Sequence, residues 1–85
     1  MQNANRWIVK IDPSVIQYMR GTPQQVYDDY FHTIEGILDL AENFSKLSIA
    51  SCSAGFIVPV QGQNAALRCA VLGNTREIHI FGIKL

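Results

Sequence analysis

The chain is short of charge. Only 16% of its 85 residues are Asp, Glu, Lys or Arg, against about 25% in an average domain. Seven acids and seven bases cancel to a formal net charge of zero, which removes the long-range pull toward nucleic acid or anionic membrane that a basic chain exerts. No apolar run approaches the ~18 residues of a membrane span, and the polar opening, residues 1–5, does not read as a signal peptide. Cysteine occurs twice, as Cys52 and Cys69. Without a secretory pattern that usage predicts free thiols in a reducing cytoplasm. There is no glycine-rich phosphate loop, no Cys-x-x-Cys pair and no alternation of aromatic with basic residues, so no cofactor, no metal and no base-stacking surface is expected. Repeats, linkers and low-complexity stretches are also missing, and residues 1–85 read as one α+β domain.

What the chain has in quantity is apolar surface, with 48% hydrophobic residues. A domain this small can bury only part of that surface. With few charges to cover the remainder, it is expected to hide some against a partner.

The strongest local pattern runs over residues 22–47. Thr22 suits an N-cap, Pro23 the first helical position, and Gln25 completes a Thr-x-x-Gln capping box. Tyr27, Tyr30, Phe31, Ile34, Ile37, Leu38, Ala41 and Phe44 recur at three- and four-residue steps, as one buried helix face requires. Val26 and Leu40 widen the stripe beyond the roughly 100° that faces a single core, which predicts burial on two sides. Gly36 inside the helix marks either a close approach by another backbone or a tolerated surface glycine.

Before this helix, residues 6–11 alternate as a strand, with Trp7, Val9 and Ile11 on one face and Ile8 and Lys10 on the other. Asp12-Pro13 then opens a short helix that ends at Gly21. After the long helix the pattern is β throughout. From residue 48 to 60 the even positions are Ala50, Cys52, Ala54, Phe56, Val58 and Val60, and Pro59 favours an edge strand. A turn over residues 61–64 that sets Val60 opposite Ala65 pairs Val58 with Leu67, Phe56 with Cys69 and Ala54 with Val71. A two-residue Gly73-Asn74 turn then places Ile78 and Ile80 on the core face, and His79, Phe81, Ile83 and Leu85 on the other. A three-residue turn would exchange the two sets. Either way the last strand is apolar on both sides. The expected fold is therefore α+β: a first strand, a short helix, a long amphipathic helix, and a three-stranded antiparallel meander packed on it.

Five of the seven acids (Asp28, Asp29, Glu35, Asp39 and Glu42) lie on the long helix, and six of the seven bases lie outside it. This is either an ordinary solvated helix face or a dipole that orients a partner. His32 shares the acidic face at helical spacing, but no second ligand-bearing helix accompanies it, so the face reads as solvated. Ser51-Cys52-Ser53 has no histidine placed by sequence to activate a thiol, and both cysteines read as small core residues. A catalytic set is not expected.

The order strand, two helices, three-stranded meander is similar to that of the RelE/ParE toxin superfamily, and residues 66–71 followed by 76–84 look like its last two strands. The resemblance implies a ribonuclease or gyrase inhibitor. It would match Arg68 to the arginine of the penultimate strand and Lys84 to a basic residue near the C-terminus. The chain departs from that family in its zero net charge, since those toxins are strongly basic.

The leading expectation is a non-enzymatic, self-associating protein-binding module, a homodimer with a further protein partner. Its interface candidates are Phe81, Ile83, Leu72, Ile57 and Leu40. The alternatives are the toxin-like reading, with Arg68, Arg76 and Lys84 as nucleic-acid or partner contacts, and a small apolar-ligand binder lined by Trp7, Phe56 and the helix tyrosines.

Overall fold

The computed structural model describes residues 6–46 and 53–85. Its elements are β1 (Ile8–Ile11), α1 (Pro13–Arg20), α2 (Gln24–Lys46), β2 (Ser53–Pro59), β3 (Ala66–Leu72) and β4 (Glu77–Lys84). The expected α+β architecture is present, with the first strand joined to the meander. The sheet is mixed and four-stranded in the order β1-β4-β3-β2. β1 lies parallel to β4, with Ile8 opposite Glu77 and Ile11 opposite Ile80. Asp12 N–H donates to the Ile80 carbonyl at 2.9 Å, so the strand is held until the residue that caps α1. The Asp12 carboxylate accepts from Ser14 N–H and hydroxyl, which lowers its pKa and satisfies a free donor of the first turn.

Thr22 plays another part than the one its sequence context predicts. α2 begins at Gln24, and Thr22 gives both its N–H and its hydroxyl proton to the Met19 carbonyl at the end of α1. It closes the first helix instead of opening the second. The first bond of α2 runs from Tyr27 N–H to the Pro23 carbonyl, so the helix opens one residue later than a cap at Thr22 requires. Gly21 takes φ −85°, so the turn needs no left-handed residue there.

Both helices pack on one face of the sheet. Val15 and Met19 from α1 and Tyr30, Ile34, Ile37 and Ala41 from α2 join Leu67, Cys69, Ile78 and Ile80 in a single buried cluster. Trp7 completes it beside β1, its ring edge-on to Phe44 at 5.2 Å. The long helix is buried on a narrower stripe than its sequence suggested. Phe31 and Leu38 stand 48% and 50% exposed, because a single sheet on one side covers only the Tyr30–Ile34–Ile37–Ala41 line.

The β2–β3 register agrees with the apolar pairing: Val58 faces Leu67, Phe56 faces Cys69 and Ala54 faces Val71. The positions expected to begin this strand at residues 48–52, Cys52 among them, lie outside the described residues. The β3–β4 turn differs from expectation. It spans residues 73–76, with Leu72 opposite Glu77, two residues longer than a Gly73-Asn74 hairpin. Arg76 supplies the left-handed conformation at φ 54°. Two extra residues preserve side-chain parity, so Ile78 and Ile80 still face the core. A bulge then intervenes. Cys69 pairs with Ile80 and Arg68 with Gly82, leaving Phe81 as the extra residue. Beyond it Ile83 returns to the core side, opposite Leu67, which corrects the expectation that it shares the outer face with Phe81.

Candidate binding surfaces

Two surfaces among the described residues could take a partner. The first is the sheet face away from the helices. Alternation from the core-facing Val9, Ile80, Cys69 and Phe56 puts Ile8, Lys10, Glu77, His79, Phe81, Arg68, Ala70, Leu72 and Ile57 there. Among the described residues no helix covers this face. Ile8, Ile57 and Phe81 are 45%, 49% and 50% exposed, and Leu72 is half-buried beside them. The bulge sets Phe81 and Gly82 together opposite Arg68. A Cβ on Gly82 would lie 3.4 Å from the Arg68 Cδ, so the arginine stem lies across the glycine.

Polar groups on the same face are engaged with one another. Lys10 Nζ contacts Glu77 Oε2 at 2.7 Å, while the Thr75 hydroxyl donates to Glu77 Oε1 and His79 Nε2 lies 3.1 Å from that oxygen. The bond from Lys10, with Thr75 and His79 assisting, holds the Glu77 carboxyl down at about 2. This network ties β1 to β4.

The second surface is a groove between α2 and β2, about 700 Å³ in volume. Gly36, Ile37 and Leu40 form its helical wall, and Val58 and Pro59 its strand wall. One end is closed by a clamp. Gln63 Nε2 donates to Asp29 Oδ2 at 2.9 Å, and Gly62, at φ 91°, passes so close that a Cβ there would sit 2.7 Å from the same oxygen. Gly62 is therefore required on two counts, the left-handed backbone and the contact. A smaller hollow of about 260 Å³ lies beside Trp7, Ile8 and Leu38.

The five sequence-derived interface candidates are thus divided among three places. Phe81, Ile57 and Leu72 share the outer sheet face, Leu40 lines the groove on the helix side, and Ile83 packs against the core. Ile8, Phe31 and Leu38 are exposed apolar residues that the sequence reading left out of that set. For Ile8 the strand alternation was the available signal. Arg68 and Lys84 fall on one face, two positions apart along the ladder, since Arg68 pairs with Gly82 and Ala66 with Lys84. Arg76 sits at the other end of β4, eight residues from Lys84, or roughly 26 Å at strand rise, so the three bases do not converge. Trp7 and Tyr30 are core residues, and Phe56 and Tyr27 pack against the core, away from the walls of the groove. Cys69 is buried, and burial pushes its thiol up to about 11, which makes it an inert packing residue.

Compared with known protein families, curated proteins and solved structures, the chain matches none of them.

Proposed function

We propose that the chain is a non-enzymatic protein-binding module that self-associates through the outer face of its sheet and works in the cytoplasm. What carries this reading is the half-exposure of Ile8, Ile57 and Phe81 on a face that no described helix covers. Full burial of such a side chain is worth roughly 1.5–3 kcal/mol. About half of each remains in contact with water, so a partner stands to recover on the order of 1 kcal/mol per residue. A symmetric dimer would stack the two outer faces, with Phe81 on the inner strand β4, Ile57 on the edge strand β2 across Arg68 from it, and the Lys10–Glu77–His79 network toward one rim. The described side chains favour binding over chemistry: Glu77 is tied up, Cys69 is buried, and the exposed bases do not converge. The test is the oligomeric state of the native chain and of Phe81→Asp.

A second reading rests on Arg68 and Lys84, which share the outer face and flank Gly82. By its resemblance to the RelE/ParE superfamily the chain would use them against a nucleic-acid or protein target. Growth arrest on expression, relieved by Arg68→Ala, tests this alternative, and unaffected growth removes it.

A further inference from the structure

We propose that the groove between α2 and β2 docks an extended basic peptide of a partner protein, which joins the outer edge of β2, unpaired among the described residues, as a further strand. This rests on the reading of the chain as a protein-binding module and names the partner's chemistry, on a surface separate from the outer sheet face.

Backbone geometry is the first support. β2 pairs with β3 alone among the described residues. Val60 N–H donates to the Ala65 carbonyl, and in an antiparallel ladder the bonded positions then alternate. Val58, Phe56 and Ala54 turn their backbone groups to β3, whereas Ser53, Gly55 and Ile57 turn theirs outward. Pro59 falls in the outward set, so its missing N–H costs β3 no bond. Exposed edges are normally protected by charges or proline; Ser53–Pro59 contains no charge, and its one proline stands at the far end, leaving Ser53, Gly55 and Ile57 unprotected. An outward row of alternating donors and acceptors selects an extended chain over a compact small molecule.

The groove beside that edge supplies the second support. Gly36 holds no side chain over it, and a Cβ there would meet nothing within 4 Å. Ile37, Leu40 and Val58 offer apolar contact to alternate side chains of an added strand.

Charge selects the sign. Residues 24–44 contain five acids and no Lys or Arg. Asp29 lines the groove, and Asp39 is exposed one turn beyond Gly36. A basic residue on the incoming strand finds complementary potential there, and an acidic one is repelled.

The experiment uses the full chain and two fluorescein-labelled peptides of equal length, a lysine peptide repeating Val-Ser-Lys-Ser and a glutamate peptide repeating Val-Ser-Glu-Ser, so that valine and the charged residue share the face turned to α2. Anisotropy should show the lysine peptide binding at least about tenfold more tightly. Hydrogen exchange in the free chain should find the Ser53, Gly55 and Ile57 amides fast, and the lysine peptide should slow them. Gly55→Pro removes one outward N–H and should weaken binding at least about tenfold, while Gly55→Ala, whose Cβ meets only ordinary contact at 3.9 Å, should bind as the native chain does. Equal affinity for both peptides, no binding of either, or β2 amides unchanged by the bound peptide would overturn the proposal. So would a dimer that Gly55→Pro dissociates, because the edge would then belong to a second copy. Peptide failure beside a dimer broken by Phe81→Asp leaves the self-association reading intact, and peptide binding by a strictly monomeric chain removes that reading alone.

Discussion

The Gln63 side-chain amide donates to the Asp29 carboxylate at 2.9 Å across 34 residues of sequence, fastening the β2–β3 turn to the first half of the long helix. Hydrogen bonds to charged, partly buried groups are worth about 1.5–3 kcal/mol. Gln63→Ala should therefore lower unfolding stability by about 1–2 kcal/mol. Gly62→Ala should cost more, since it adds a left-handed Cβ and a clash with Asp29. In an Asp29→Ala background the clash is gone, and the Gly62→Ala penalty should shrink toward that of the backbone alone. Urea denaturation of the double-mutant cycle reads this coupling, and fully additive costs would refute it.

Gly36 is the position where helix propensity and groove shape oppose each other. It is exposed, and an added methyl meets no atom within 4 Å. Gly36→Ala should raise stability by about 1 kcal/mol, seen as a higher urea midpoint. A loss of stability would mean that another backbone packs there in the native protein.

Glu77 carries the acid sensitivity of the β1–β4 seam. Its carboxyl falls from the ordinary 4.5 to about 2 in the fold, chiefly through the bond from Lys10. A depressed folded value means stability that is fully present above the unfolded value and lost as pH drops toward the folded one. Urea midpoints should accordingly decline as pH falls from about 4.5 toward about 2, and Glu77→Gln should flatten that part of the curve. An unchanged slope in the variant would assign the acid sensitivity to other carboxylates.

Local rules made much of this fold legible. The apolar alternation of Phe56, Val58, Leu67 and Cys69 allowed one sensible hairpin register, because a slip by one residue turns one strand's pair outward while the other's stays inward. Elsewhere the deciding partner was distant or competing. Thr22 could be read as a cap from its neighbours, but α2 opens one residue later, on the Pro23 carbonyl, and Thr22 bonds back to Met19. The Phe81 bulge has no sequence signature, and it reversed the direction of Ile83. The docking of β1 beside β4 depends on backbone bonds such as Ile8 N–H to the Arg76 carbonyl, which no side-chain pattern encodes. The groove was invisible for a related reason: its walls come from residues 29–40 and 58–62, which meet only in the folded chain.

Phe81 stands half exposed at the bulge of β4, on the face that Ile8 and Ile57 share, and self-association through this face is the central claim. Multi-angle light scattering at micromolar concentration tests it most directly. The native chain should elute with the mass of a dimer, and Phe81→Asp should elute as a monomer with an unchanged circular dichroism spectrum. A native chain that is monomeric across the concentration range, or a dimer that Phe81→Asp leaves intact, would contradict it.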